Sequence, residues 1–168
     1  VDAPGARAVV HVARHEEDDD AGWWESVVGP GKPVDTDRYF VVCSNVLGGC
    51  RGTTGPNSPD PRTGGRFGAD FPTVTVGDMV RVQAMLLTRI GVDRALAVIG
   101  GSLGGFQALE WATKHGERVA GCIGLATAPR LSSQAIAFDV VGRNAITHDP
   151  NYNDGRYYDA GADPSAGL

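Results

Sequence analysis

Cysteine is scarce in this sequence: Cys43, Cys50 and Cys122 are the only three in 168 residues. Their number is odd and no two form a C-x-x-C pair, which argues against a disulfide framework and against the usual zinc and redox motifs. They read as reduced and mostly buried thiols. Positive charge is also short, with 15 Lys plus Arg against 20 Asp plus Glu and a formal charge of −5. That balance lacks the basic footprint of a nucleic-acid binder, and it offers nothing to an anionic membrane surface. No run of about 18 apolar residues occurs, nor a basic leader followed by an apolar stretch. The expectation is a soluble, cytoplasmic protein.

Glycine is abundant instead, at 24 of 168 residues, about twice the usual ~7 %. Gly48, Gly49, Gly52, Gly55, Gly64, Gly65 and Gly68 fall in one stretch with Pro56, Pro59, Pro61 and Pro72. This is the composition of a long loop. Loops beyond about 12 to 15 residues are uncommon in compact domains unless they have a function, so this one is a candidate wall of a site.

The remainder alternates. Residues 38–45 form a continuous apolar run that suits a buried parallel strand. Thr75 followed by Asp78 marks a helix start close to the capping-box pattern, and Val76, Met79, Val80, Gln83, Leu86, Leu87 and Ile90 keep helical spacing up to a stop at Gly91. Residues 95–99 are again strand-like, 106–115 helical, 119–126 strand-like and 132–146 helical. Past Asp149 and Pro150 the chain is polar and turn-rich, with no further strand. Strands alternating with helices, without two-residue hairpin signals, predict an α/β fold whose parallel sheet carries helices on both faces. One domain over 1–168 is expected, without repeats or a linker.

The sharpest motif is Gly100-x-Ser102-x-Gly104, set between a strand and a helix. A serine there sits on a tight, strained turn, and Gly100 and Gly104 let strand and helix approach without Cβ clashes. Its hydroxyl stands at the carboxyl edge of the sheet and at a helix N-terminus, where negative charge is favoured. Ser102 is therefore the candidate nucleophile, and the backbone N–H of Leu103 the candidate oxyanion donor. Phosphate binding fits less well, because Ser102 replaces the second glycine of G-x-G-x-x-G and no Lys-Ser/Thr pair follows.

A wider set of motifs surrounds this turn. Trp23-Trp24-Glu25, Gly29-Pro30-Gly31-Lys32, Asp35-Thr36-Asp37-Arg38-Tyr39-Phe40, Ser44-Asn45-Val46-Leu47-Gly48-Gly49-Cys50, Gly52-Thr53-Thr54-Gly55-Pro56 and Asp70-Phe71-Pro72 precede it. Gln107-Ala108-Leu109-Glu110-Trp111 and Gln134-Ala135-Ile136-Ala137-Phe138 follow. In this order they resemble the homoserine O-acetyltransferases of the α/β-hydrolase superfamily, over nearly everything from Trp23 to Leu168. The resemblance implies an acyl group moved from acetyl-CoA, or succinyl-CoA, to the hydroxyl of L-homoserine in methionine biosynthesis. It also implies a ping-pong route through a seryl acyl-enzyme on Ser102, no permanently bound cofactor, and a homodimer at full length. Serine O-acyltransferases share the motifs, and serine esterases share the elbow. A non-catalytic remnant is a further alternative.

The sequence departs from the family in what should accompany the serine. A Ser-Asp-His triad needs an acid and a histidine from later strands. Only His115 and His148 follow Ser102. His115 closes the elbow helix, roughly 16 Å along at ~1.5 Å per residue, so neither histidine is assigned as the base. Asp139, Asp149, Asp154, Asp159 and Asp163 have no support as the acid. Near the front, Val9-Val10-His11-Val12-Ala13-Arg14-His15 does not match the family's His-Ala-Leu-Thr-Gly-like oxyanion segment, and His11 and His15 receive no role. The expectation is a partial chain that holds the nucleophile half of the core, without the first strands, the cap and the rest of the triad.

Other signals carry less. The acidic run 16–20 reads as a solvated loop. The segment from Asp149 to Gly155 begins like a calcium loop, but Asp154 takes the required glycine position and Ala160 that of the final glutamate, so no metal site is expected. Trp23, Trp24 and Trp111 read as core residues. Arg51, in the Gly-rich loop, is a candidate contact for a substrate phosphate or carboxylate.

Overall fold

Four parallel strands organise the computed structural model, which describes residues 8–12, 24–49, 52–161 and 163–167. They are β1 (Ala8–Val12), β2 (Phe40–Cys43), β3 (Ala97–Gly101) and β4 (Cys122–Leu125), arranged β2-β1-β3-β4. The register aligns Val9 with Val41 on one side and with Ala97 on the other, and Ile99 with Ile123. Helix α1 (Val76–Arg89) lies between β2 and β3 in the chain, and α2 (Leu103–Lys114) between β3 and β4.

Period-two alternation sends neighbouring residues of each strand to opposite faces. Val98, with the partly buried Val42, packs with Val80, Ala84 and Leu87 of α1 and Ala108 and Trp111 of α2. On the other face Val9 and Ile99 pack with Val34, Val41 and the partly buried Trp24. Helix α1 buries Val80, Gln83, Ala84 and Leu87, one face at the i, i+3, i+4, i+7 spacing. It starts as expected: Thr75 Oγ1 accepts from the Asp78 N–H at 3.2 Å, and Asp78 Oδ2 accepts from the Thr75 N–H at 2.8 Å.

Chain contacts divide the molecule into two compact units, one of Val1–Leu47 with Val74–Pro129 and one of Gly48–Thr73 with Arg130–Leu168. The first holds the sheet, α1 and α2. In the second, the Gly-rich segment is built from turns, an isolated bridge between Pro59 and Arg66, and a single helical turn at Gly68–Asp70. Gly48, Gly52, Gly64 and Gly68 there adopt positive φ, which accounts for part of the glycine excess. Helix α3 (Ser133–Thr147) belongs to this unit and is capped by Ser132 Oγ, which accepts from the Ala135 N–H at 3.2 Å. The buried Asp149 carboxylate accepts from the N–H groups of Asn151 at 2.8 Å and Gly167 at 2.9 Å, so it ties the chain after α3 together.

Three sequence readings need correction. The sequence pattern does not mark β1: five residues including His11 give too short a pattern, and the strand is defined by the ladders on both its sides. The helix read from Phe106 begins at Leu103, because packing against the sheet overrides the low helix propensity of Gly104 and Gly105. Cys43 and Cys122 are exposed rather than buried. Cys122 lies on β4, which stands at the edge of the sheet among the described residues and is exposed along its length. Cys50 lies outside the described residues, as do Trp23, the acidic run 16–20 and His15.

Candidate active site

The carboxyl end of β3 runs into the turn that the motif marks. Gly100 and Gly101 complete the strand, Ser102 has φ 51° and ψ −117°, and α2 begins at Leu103. Positive φ at a non-glycine residue is strained, of the order of 1 to 3 kcal/mol, and persists only where the surroundings fix it. Here they do. The Ser102 N–H donates to the Leu125 carbonyl at the end of β4 at 3.0 Å, and the Ser102 carbonyl accepts from the N–H groups of Gly105 at 2.9 Å and Phe106 at 3.2 Å.

Two glycines make the turn possible by close approach. A Cβ on Gly100 would lie 2.0 Å from the Gly104 carbonyl oxygen, and one on Gly105 would lie 2.4 Å from Thr127 Cβ. Gly101 has room, with its nearest neighbours at 3.8 and 3.9 Å. The motif's requirement therefore falls on Gly100, whose neighbour is the backbone of Gly104. The contact of Gly105 with Thr127 was not singled out from the sequence, since only the fold brings residue 127 to the elbow helix.

Ser102 is exposed, so the strained backbone presents its side chain outward. Its carbonyl is held inside the first turn of α2. Because a trans peptide sets C=O and N–H in opposite directions, the Leu103 N–H points out of the helix. Among the described residues no acceptor takes the N–H of Leu103 or of Gly104. An exposed hydroxyl beside two unengaged donors at a helix N-terminus is a setting in which an oxyanion is stabilised as it forms.

The remaining sequence candidates are dispersed. His115 caps the far end of α2, its ring 5.2 Å from that of Trp111. His148 closes α3, with Nδ1 2.8 Å from the Asn144 carbonyl of the same helix. His11 stands on β1. Among the described side chains, no imidazole bonds the Ser102 hydroxyl. Asp139 lies on α3, Asp149 is consumed by its two backbone donors, Asp154 occupies a positive-φ turn position, Asp159 lies in a single helical turn and Asp163 in the C-terminal segment. Arg51 lies outside the described residues. The Cys122 thiol rests 3.2 Å from the Ala108 carbonyl, and partial burial pushes its pKa up, which disfavours the thiolate. Among the described residues no group of three or more His, Cys, Asp or Glu could hold a metal ion, and no helix is long and apolar enough to cross a membrane.

Comparison with known proteins adds to this geometry. Residues 19–166 match the family described as alpha/beta hydrolase fold. The chain is 53 % identical over 160 residues to a homoserine O-acetyltransferase of Solidesulfovibrio magneticus, covering 94 % of this chain and 40 % of that protein. It is 52 % identical over 160 residues to a homoserine O-succinyltransferase of Stutzerimonas stutzeri, covering 94 % and 42 %. The chain thus spans about two-fifths of the length of these relatives. Among solved structures, homoserine O-acetyltransferase from Bacillus anthracis superposes with a TM-score of 0.87 at 31 % identity, over 97 % of this chain and 48 % of that one. Esterase E22 superposes with a TM-score of 0.86 at 34 % identity, over 97 % and 49 %.

Proposed function

The chain belongs to the α/β-hydrolase fold family, and from that premise we propose that Ser102 is the nucleophile of an acyl-CoA-dependent homoserine O-acyltransferase in methionine biosynthesis. The observation that carries this reading is the backbone of Ser102, strained at φ 51° and held on both sides, beside the outward N–H of Leu103. Likeness to relatives named for acetyl and succinyl transfer to homoserine supplies the substrates.

In the first half-reaction the Ser102 oxygen attacks the thioester carbonyl carbon of the acyl-CoA. The carbonyl oxygen takes up negative charge opposite the Leu103 N–H, the C–S bond breaks, and coenzyme A leaves as the thiol with the proton that the serine gave up. In the second, the homoserine hydroxyl attacks the acyl-enzyme ester, its proton returns to Ser102, and O-acylhomoserine departs. Each step needs a base to carry the proton. That base and its acid are assigned to the part of the protein corresponding to the relatives' remaining length. The acyl-CoA is a co-substrate in this scheme.

Ester hydrolysis is a second reading, favoured by the likeness to esterase E22. Incubating the full-length gene product with acetyl-CoA, with and without homoserine, separates the two. Thiol release that depends on homoserine supports transfer, and equal release without it supports hydrolysis. Repeating the assay with succinyl-CoA identifies the donor. Ser102→Ala is expected to abolish the mass increase of one acyl group on the protein. An increase that persists in this variant refutes Ser102 as nucleophile.

A further inference from the structure

Three polar side chains are buried in the apolar core between α1 and α2. Gln83 is 2 % exposed, and Gln107 and Trp111 are 0 % exposed. The indole N–H of Trp111 donates to Gln83 Oε1 at 2.8 Å, Gln83 Nε2 donates to Gln107 Oε1 at 2.6 Å, and Gln107 Nε2 donates to the Leu103 carbonyl at 3.4 Å. The direction of the series follows from its first member. An indole can only donate, so Gln83 turns its oxygen to Trp111 and its amide NH2 to Gln107. Gln107 must then accept with its oxygen, which leaves its own NH2 for Leu103. Bonds aligned head to tail in a low-dielectric interior polarise one another.

Packing alone does not call for this arrangement. Apolar side chains of similar volume would fill the space, whereas each buried amide left unpaired costs about 1 to 3 kcal/mol. The series is distinguished by where it ends, on a carbonyl in the first turn of the elbow helix. Fixing the Leu103 carbonyl fixes the plane of the Leu103–Gly104 peptide, and hence the direction of the Gly104 N–H. The preceding peptide is already held by the two bonds to the Ser102 carbonyl.

We infer that Gln107, anchored by Gln83 and Trp111, is a positioning residue that holds the Leu103–Gly104 peptide, and with it the Gly104 N–H, at the start of α2 beside the oxyanion formed at Ser102. The inference rests on the reading of Ser102 as nucleophile. None of the three side chains acts on substrate directly; they keep the Gly104 N–H from drifting as charge develops.

The test uses the full-length protein and single-turnover acylation by acetyl-CoA, expressed per site that accepts an acyl group, so that a partly unfolded variant lowers the site count and not the rate. Gln107→Met keeps length and volume but removes the bond to Leu103, and it is expected to slow acylation roughly 10- to 100-fold with KM for acetyl-CoA unchanged. Gln83→Met breaks the same series one link earlier and gives the same loss, and the double variant is no slower than either single one. Trp111→Phe removes only the first donor and produces a smaller loss. Acylation at the wild-type rate in Gln107→Met, a loss confined to KM, or additive losses in the double variant would each overturn the inference. Should Gln107→Met fail to fold, Gln83→Met is judged by the same criterion of rate per site. If Ser102→Ala still accepts the acyl group, the nucleophile reading fails. If Ser102→Ala is unlabelled and Gln107→Met acylates normally, only the positioning role fails.

Discussion

Replacing Gly100 by alanine isolates the steric condition on which the elbow depends. The added Cβ would lie 2.0 Å from the Gly104 carbonyl oxygen, 2.2 Å from its carbon and 2.9 Å from the Gly105 nitrogen, all backbone atoms. Ordinary contact lies near 3.5 Å, so strand and helix would have to separate by more than about 1 Å. No side chain can rotate away to relieve it. Overpacking of this kind costs typically 1 to 3 kcal/mol, and a displacement of about 1 Å at a reacting group can cost about 100-fold in rate. Gly101→Ala is the matched control. It adds the same methyl one residue on, where the nearest atoms are at 3.8 and 3.9 Å, and alanine restricts the unfolded chain, so stability should be unchanged or higher by up to about 1 kcal/mol. Thermal unfolding and acylation rate, measured on both full-length variants, decide the matter. Gly100→Ala should be the less stable and the slower by a wide margin. If the two variants match in melting temperature and rate, the close approach of Gly100 to Gly104 is not what shapes the site.

Two further outcomes follow from local chemistry away from the serine hydroxyl. Thr127 Oγ1 is buried without a hydrogen-bond partner among the described residues, so Thr127→Val, which keeps the shape, should raise stability by about 1 kcal/mol in a denaturant titration; a loss would show that the hydroxyl is engaged. Asp78 is held below the ordinary carboxylate range first by the Thr75 hydroxyl, then by the Thr75 N–H and by Arg81. A lowered folded-state pKa means that the unfolded chain binds the proton more readily. The stabilisation is therefore present above the ordinary range and lost as the pH falls through the folded value. The stability gap between wild type and Asp78→Asn should narrow below about pH 4, and a gap that stays constant down to pH 2 contradicts the capping interaction.

Much of the fold was legible because its signals are local. Thr75 with Asp78 announced the start of α1 to the residue, and the apolar runs around Val41, Val98 and Ile123 marked three of the four strands. β1 escaped because its place in the sheet comes from pairing with residues some 30 and 90 positions away. The exposure of Cys122 departs from the sequence expectation for a related reason. Cysteine is commonly buried, but this one sits on the strand that borders the sheet among the described residues, and a strand's place in a sheet is a property of topology.

The candidate site divides in the same way. The sequence alone determined the type of turn and the identity of its serine, because strand, G-x-S-x-G and helix are contiguous and the constraint on them is the covalent geometry of a few residues. It also determined that His115 and His148 stand at helix ends. Only the tertiary structure decided which glycine admits no side chain, that Leu125 of β4 and the first turn of α2 together hold the strained Ser102, and that Gln83 reaches Gln107 across 24 positions. Those are contacts between elements distant in the chain, and their energies exist only once the sheet and its helices have packed.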